Sequence, residues 1–156
     1  MIILGLNLGH DSSCALIVNG KLVFASEQER YSKNKHTREF PKEAIFDCVK
    51  SQNLKINDID LIVVGFLAER YVKEFFLKQS LNDLNKINFI YDGIERIKTS
   101  LNLENLIREK LNFKNKINFV SHHLCHLASA FYPSEFKKSL VVSFDGLGEI
   151  ESSMYA

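Results

Sequence analysis

The chain has 156 residues, 46% of them hydrophobic, which is enough for one domain with a true core. With 20 Lys and Arg against 19 Asp and Glu the net charge is +1, so there is no global electrostatic case for binding nucleic acid or an anionic membrane. The cysteines Cys14, Cys48 and Cys125 form no CxxC pair, the start MIILGLNLGHDSS lacks a basic lead, and no apolar run reaches membrane-spanning length; a soluble cytoplasmic protein is expected.

Ile2 to Leu8 reads as a first strand, followed by the turn-like cluster Gly9-His10-Asp11-Ser12-Ser13. Cys14–Val18 and Lys21–Ala25 flank Asn19-Gly20. Asn-Gly between apolar runs signals a hairpin, because both residues tolerate the positive φ of a type I′ turn. Three strands are therefore expected in the first 27 residues, and the charged stretch Glu27–Arg38 is expected to be a loop. Pro41 opens a helix with Ala44, Ile45, Cys48 and Val49 on its apolar face. Asp60–Gly65 reads as a buried strand.

Residues 69 to 110 look mostly helical, with one apolar stripe of Tyr71, Phe75, Leu81 and Leu84 and a second helix over Leu101–Lys110. Lys116–Val120 is a short strand, and Ser121 is an N-cap for a helix running to about Phe131, ended by Pro133. Ser139–Phe144 is expected to be another buried strand, followed by the Gly-rich turn Asp145–Glu149. ILGLNLGHDSSCALI and LVVSFDGLGEIESSMYA share one plan: an apolar strand, a polar loop with Gly and Asp, then small residues leading to a second strand. Such an internal repeat, with its second copy incomplete, implies the first part of a longer protein.

Three of the five histidines lie in Ser121–Phe131, SHHLCHLASAF. Residues four apart share a helix face, so His122 and His126 could bite one metal ion. His123 with His126 stays open as the pair. In the first helical turn the dipole disfavours an imidazolium at His122, and a neutral ring is what a metal needs. Two ligands are too few, and Asp145, at the end of the next strand, is the candidate third. The bland possibility is a set of ordinary part-buried histidines. The first loop offers hydroxyls and backbone N–H groups able to hold phosphate, with Asp11 and Ser12 as candidates and His10 as a possible general base. The Asp145-Gly146-Leu147-Gly148 turn invites the same reading for Gly146 and Gly148, although it lacks the spacing of a Walker loop or a dinucleotide fingerprint. Arg30, Lys33, Lys35, His36 and Arg38 are dense enough to bind an anion.

GLNLGHDSSCALIVNGKLVFASEQERYSKNKHTREFP, SHHLCHLASAFYPSEF and VVSFDGLGE together resemble the N-terminal part of the O-carbamoyltransferase family, of the nodulation-protein-U and antibiotic-tailoring type. The resemblance implies an α/β fold of the actin/Hsp70-like ATPase (ribonuclease H-like) class, similar to the universal tRNA-threonylcarbamoyladenosine proteins. Residues 1–138 would be its first subdomain and 139–156 the beginning of the second. It further implies a C-terminal YrdC-like domain that makes carbamoyl adenylate from carbamoyl phosphate and ATP. The N-terminal domain then passes the carbamoyl group to a hydroxyl of a sugar or other small-molecule acceptor. The family's metal ligands fall on His122, His126 and Asp145, the ion being a divalent metal, iron foremost, with zinc or manganese compatible. Its transfer histidine falls on His10. Glu27, Arg30 and Lys35 fall in the acceptor-side loop. A fragment of 156 residues would be inactive alone. The other readings are a non-catalytic ATP- or partner-binding module of the actin-like fold and a tRNA-modifying enzyme of the same superfamily. The absence of a basic stripe argues against tRNA.

Overall fold

A computed structural model describes residues 1–83 and 87–156. The chain forms two compact units, one of residues 1–65 and 104–118 and one of 66–103 and 119–156.

The first unit is built on a mixed sheet. Strands β1 (Ile2–Asn7), β2 (Ser13–Val18) and β3 (Lys21–Glu27) form an antiparallel meander, and β4 (Leu61–Val64) runs parallel to β1. With β5 (Lys116–Phe119) the order is β3-β2-β1-β4-β5. The three expected opening strands are present. The β2–β3 turn has Asn19 at φ 50° and Gly20 at φ 80°, the backbone that the Asn-Gly pair was expected to supply. Alternation sends Leu4 and Leu6 of β1, Cys14 and Leu16 of β2, and Ile62 and Val64 of β4 into the core. Helix α2 (Lys42–Ser51) covers this sheet with the face read from the sequence, Ala44, Ile45, Cys48 and Val49. Each fully buried aliphatic side chain of this kind contributes about 1.5–3 kcal/mol.

The charged stretch after β3 is not wholly a loop. Glu29–Ser32 form a single helical turn, α1, closed by Lys33 at φ 60°. Tertiary bonds override its polar composition: the buried Gln28 side chain donates to Glu43 (2.6 Å), and the Tyr31 hydroxyl donates to Asp47 (2.7 Å), both on α2. A short 3-10 turn, Ile56–Asp58, leads into β4. Helix α6 (Leu103–Leu111) adds the buried Ile107 and Leu111.

The second unit contains α3 (Ala68–Arg70), a π-helical segment (Tyr71–Leu77), α4 (Lys78–Asn82), α5 (Ile87–Leu101), α7 (His122–Phe131) and a two-stranded antiparallel ribbon of β6 (Val142–Phe144) and β7 (Ser153–Tyr155). The π-helical stretch displaces the expected apolar stripe. Val72 and Phe76 are buried, Tyr71 and Phe75 stack on one another at 5.1 Å, and Leu81 is exposed; Leu84 lies outside the described residues. One extra residue per turn rotates the inward face, which a 3.6-residue period does not anticipate. Residues 139–144 were expected to form a buried strand, yet only Val142–Phe144 is extended, with Ser143 buried and Phe144 83% exposed. The ribbon has one covered face, so its apolar run reads as more buried than it is. The repeat seen in the sequence corresponds to two antiparallel hairpins, β1–β2 and β6–β7, each with a polar loop between its strands.

Candidate metal centre and first-loop cluster

Helix α7 follows β5 after a single turn, with Ser121 in the N-cap position, but the Ser121 side chain makes no capping bond. A carboxylate does the work instead. Oε1 of Glu149 accepts from the His122 amide (2.9 Å) and from the Leu67 amide (2.8 Å). Glu149 is fully buried, and its Oε2, like Ser121 Oγ, has no hydrogen-bond partner. A carboxylate at a helix N-terminus satisfies an orphan donor and complements the dipole. Glu149 and the nearby Cys125 are linked electrostatically: burial first, then the Glu149 charge, pushes the Cys125 thiol up. Sequence reading missed Glu149 because its partners are 27 and 82 residues away.

The three histidines of α7 separate cleanly. His123 is fully buried; its Nε2–H donates to the Glu151 carbonyl (2.8 Å), and its Nδ1 shares a hydrogen bond with the Ser143 hydroxyl (2.9 Å). A carbonyl only accepts, so Nε2 carries a proton, and both ring nitrogens have a partner. It is a packing histidine. Gly148 makes room for it, since a Cβ there would stand 2.8 Å from the His123 ring. His122 and His126, a turn apart, are the pair that points to Asp145.

Their Nε2 atoms lie 3.0 Å from each other, and Asp145 Oδ2 is 2.7 Å from His122 and 3.3 Å from His126. Each ring nitrogen has one in-plane site, carrying either a proton or a lone pair, and a carboxylate oxygen only accepts. If both nitrogens are protonated, the two N–H groups confront one another. If one is not, its lone pair confronts the carboxylate. With Asp145 ionised, no protonation state of the two rings gives each of the three contacts its own hydrogen bond. A cation among them satisfies all three at once. Metal bonds of about 2.0–2.2 Å place neighbouring ligand atoms roughly 2.9–3.4 Å apart, close to these three edges. Hydrogen bonding from His122 first, then the Gly146 amide, and then His126 hold the Asp145 carboxyl down at about 2, so it is a ready anionic ligand. The residues present fit a divalent cation with further positions open to other ligands.

The loop carrying Asp145 is clamped from both sides. Asp145 N–H donates to the Ser152 carbonyl (2.8 Å), and Gly148 N–H to the Glu151 carbonyl (2.8 Å). Arg70 grips Glu151 through its two terminal guanidinium nitrogens and donates from Nε to Glu74 (3.3 Å), which lowers the Glu151 carboxyl and raises the guanidinium. Gly146 donates to Asp145 Oδ1 (2.6 Å) and has open space where a side chain would begin, whereas Gly148 is packed on His123.

The first unit holds a second cluster of two histidines and an aspartate. His10 Nδ1 is 2.6 Å from Asp11 Oδ2, and His36 Nδ1 is 2.8 Å from Asp11 Oδ1. The two rings stack with centroids 5.1 Å apart. Asp11 and His36 both hold left-handed backbones, φ 57° and 56°. Asn7 fixes the loop by donating to the His10 and Asp11 carbonyls (2.8 and 3.0 Å), and the His36 amide donates to Glu29 (3.0 Å). Ser12 is fully buried between the Thr37 carbonyl and the Gln28 amide, its hydroxyl unpaired. Of the expected acceptor-side residues, Glu27 and Arg30 form a surface ion pair at 3.7 Å, and Lys35 is exposed. His36 was visible in the sequence only as part of a charged run.

The family model described as "Carbamoyltransferase N-terminus" matches residues 2–156. Nodulation protein NolNO of Sinorhizobium fredii is 31% identical over 150 residues, covering 94% of this chain and 21% of that protein. An uncharacterized protein of Synechocystis is 30% identical over 151 residues (90% of this chain, 24% of that one), and one of Methanocaldococcus jannaschii 28% over 148 (95% and 23%). The chain thus spans between a fifth and a quarter of the length of these relatives. Among solved structures, YeaZ from Pseudomonas aeruginosa aligns at TM-score 0.45 with 10% identity, covering 90% of this chain and 57% of that one.

Proposed function

The chain belongs to the carbamoyltransferase N-terminus family, and from that premise we propose that it is the N-terminal part of an O-carbamoyltransferase. Such an enzyme moves a carbamoyl group from carbamoyl phosphate, by way of carbamoyl adenylate made with ATP, to a hydroxyl of a sugar or natural-product acceptor. A YrdC-like portion is the expected source of the adenylate. In this reading residues 1–138 belong to a first actin-like subdomain and 139–156 open the second.

The observation that supports the reading is the triangle of His122 Nε2, His126 Nε2 and Asp145 Oδ2, whose contacts a cation would satisfy together. These three residues would hold a divalent metal, iron foremost, with zinc or manganese compatible. Such an ion supplies Lewis-acid stabilisation of charge developing on the leaving group. The chain's own residues do the rest. Buried Glu149 fixes the first turn of α7 and thereby both ligand histidines. Gly146, which has open space where a side chain would begin, leaves room for a phosphate group. His10 takes the proton of the attacking hydroxyl. Carbamates are poor electrophiles, and a general base contributes typically about 10²–10⁴-fold, so positioning and the adenylate leaving group carry most of the acceleration. Asp11, Ser12 and Gly148 stand as candidate nucleotide contacts, and Glu27, Arg30 and Lys35 as acceptor contacts.

The test is metal analysis of the purified chain, wild type beside His126→Ala, with carbamoyl transfer measured on the product of the complete reading frame against a panel of hydroxylated acceptors. One equivalent of metal in the wild type, lost in the variant together with transfer, is expected. A wild type that takes up no iron, zinc or manganese overturns the metal reading.

A further inference from the structure

His10, Asp11 and His36 look like a second copy of the metal triangle but differ in one respect. Each imidazole has its own carboxylate oxygen, Oδ2 for His10 and Oδ1 for His36. Two N–H···O bonds satisfy the whole cluster, and no contact is left over for a cation to relieve. An ionised carboxylate only accepts, so both Nδ1 atoms must carry the proton. Each neutral ring is then the Nδ1–H tautomer, with its lone pair on Nε2. A histidine side chain free in water favours the opposite form, Nε2–H. Both rings are more than half exposed, at 54% and 68% of the side chain, so both lone pairs are on groups that a ligand can reach.

We propose that Asp11 is a positioning residue that pairs His10 with His36, so that the first loop presents two imidazoles with their lone pairs on Nε2, and His36 is a second acceptor for the proton of the attacking hydroxyl. The proposal deepens the reading given above and rests on it for the identity of the hydroxyl. In the transfer step the acceptor oxygen bonds to the carbamoyl carbon while its proton passes to an Nε2. The bond from that carbon to the adenylate phosphate oxygen breaks, and AMP leaves with the electron pair. Asp11 bonds the imidazolium so formed through Nδ1–H.

The backbone supports a designed arrangement. Asp11 and His36 both occupy left-handed φ, which costs free energy and is concentrated at functional sites. The same feature supplies mild variants, since Asn is the residue other than Gly most at ease there. The experiment is long-range 1H–15N correlation of the ring nitrogens in the chain, with signals assigned by His10→Asn and His36→Asn. In the wild type both rings are expected as Nδ1–H tautomers. In Asp11→Asn the side chain has one acceptor oxygen and one donor nitrogen, so one ring keeps its tautomer and the other switches to Nε2–H. Wild-type rings that are both Nε2–H, or an Asp11→Asn spectrum with both rings unchanged, overturn the pair regardless of any activity. In the transfer assay, Asp11→Asn and His36→Asn are each expected to lower kcat about tenfold or more with KM little changed. Correct tautomers with kcat unchanged in both variants would overturn the role of the pair in transfer, while the metal reading would stand on its own analysis.

Discussion

Among the described residues are two clusters of the same composition, two histidines and an aspartate, one in each unit. In the second unit a single carboxylate oxygen and two Nε2 atoms converge, leaving a frustrated triangle. In the first unit a carboxylate divides its two oxygens between two Nδ1 atoms, leaving nothing frustrated. Residue type is therefore a poor guide to chemistry. What would separate an ion-holding site from a proton-handling one is whether the donor and acceptor sites can all be paired.

The largest expected effect is His126→Ala, which should lower metal affinity by more than about 100-fold, above the range usual for loss of an outer-shell partner. His36→Asn should leave it unchanged. Titration calorimetry with zinc decides, and loss of an equivalent of metal in His36→Asn would erase the contrast between the clusters. Next is Glu149→Gln. It keeps the shape but removes the charge beneath α7, and metal affinity should fall about tenfold. The lost charge-assisted bonds should cost about 1–3 kcal/mol, read by urea denaturation. Gly148→Ala places a Cβ 2.8 Å from the His123 ring. Overpacking should cost about 1–3 kcal/mol and should not alter the tautomers of His10 and His36. The smallest effect concerns acid. The Asp145 carboxyl is depressed from 3.8 to about 2. Its contribution is fully present above the ordinary carboxylate range and is lost as pH falls through about 2. Asp145→Asn should therefore flatten the fall in stability between those values in a metal-free pH series. An unchanged slope would mean that the histidine contacts are not what depresses it.

Much of this was legible in the chain itself. Asn19-Gly20, Pro41 and the alternation of Leu4 and Leu6 are local signals, and local signals set strands, turns and the face of α2. The i,i+4 spacing of His122 and His126 is likewise a property of any helix. Where the reading failed, a distant partner was responsible. Glu29–Ser32 turn helical because Gln28 and Tyr31 find α2. The inward stripe moved to Val72 and Phe76 because a π-helical turn inserts one residue. The run through Val142–Phe144 is exposed on alternate residues because the ribbon is covered on one face.

The amino-acid sequence by itself determined the family, the order of the elements and the histidine spacings on α7, since these depend on residue type and spacing along one chain. Only the tertiary structure chose His122 over His123, recruited Glu149 as the cap and put His36 beside Asp11. Those choices depend on which donors and acceptors meet once distant segments are folded together, and hydrogen-bond pairing at a distance has no signature in local sequence.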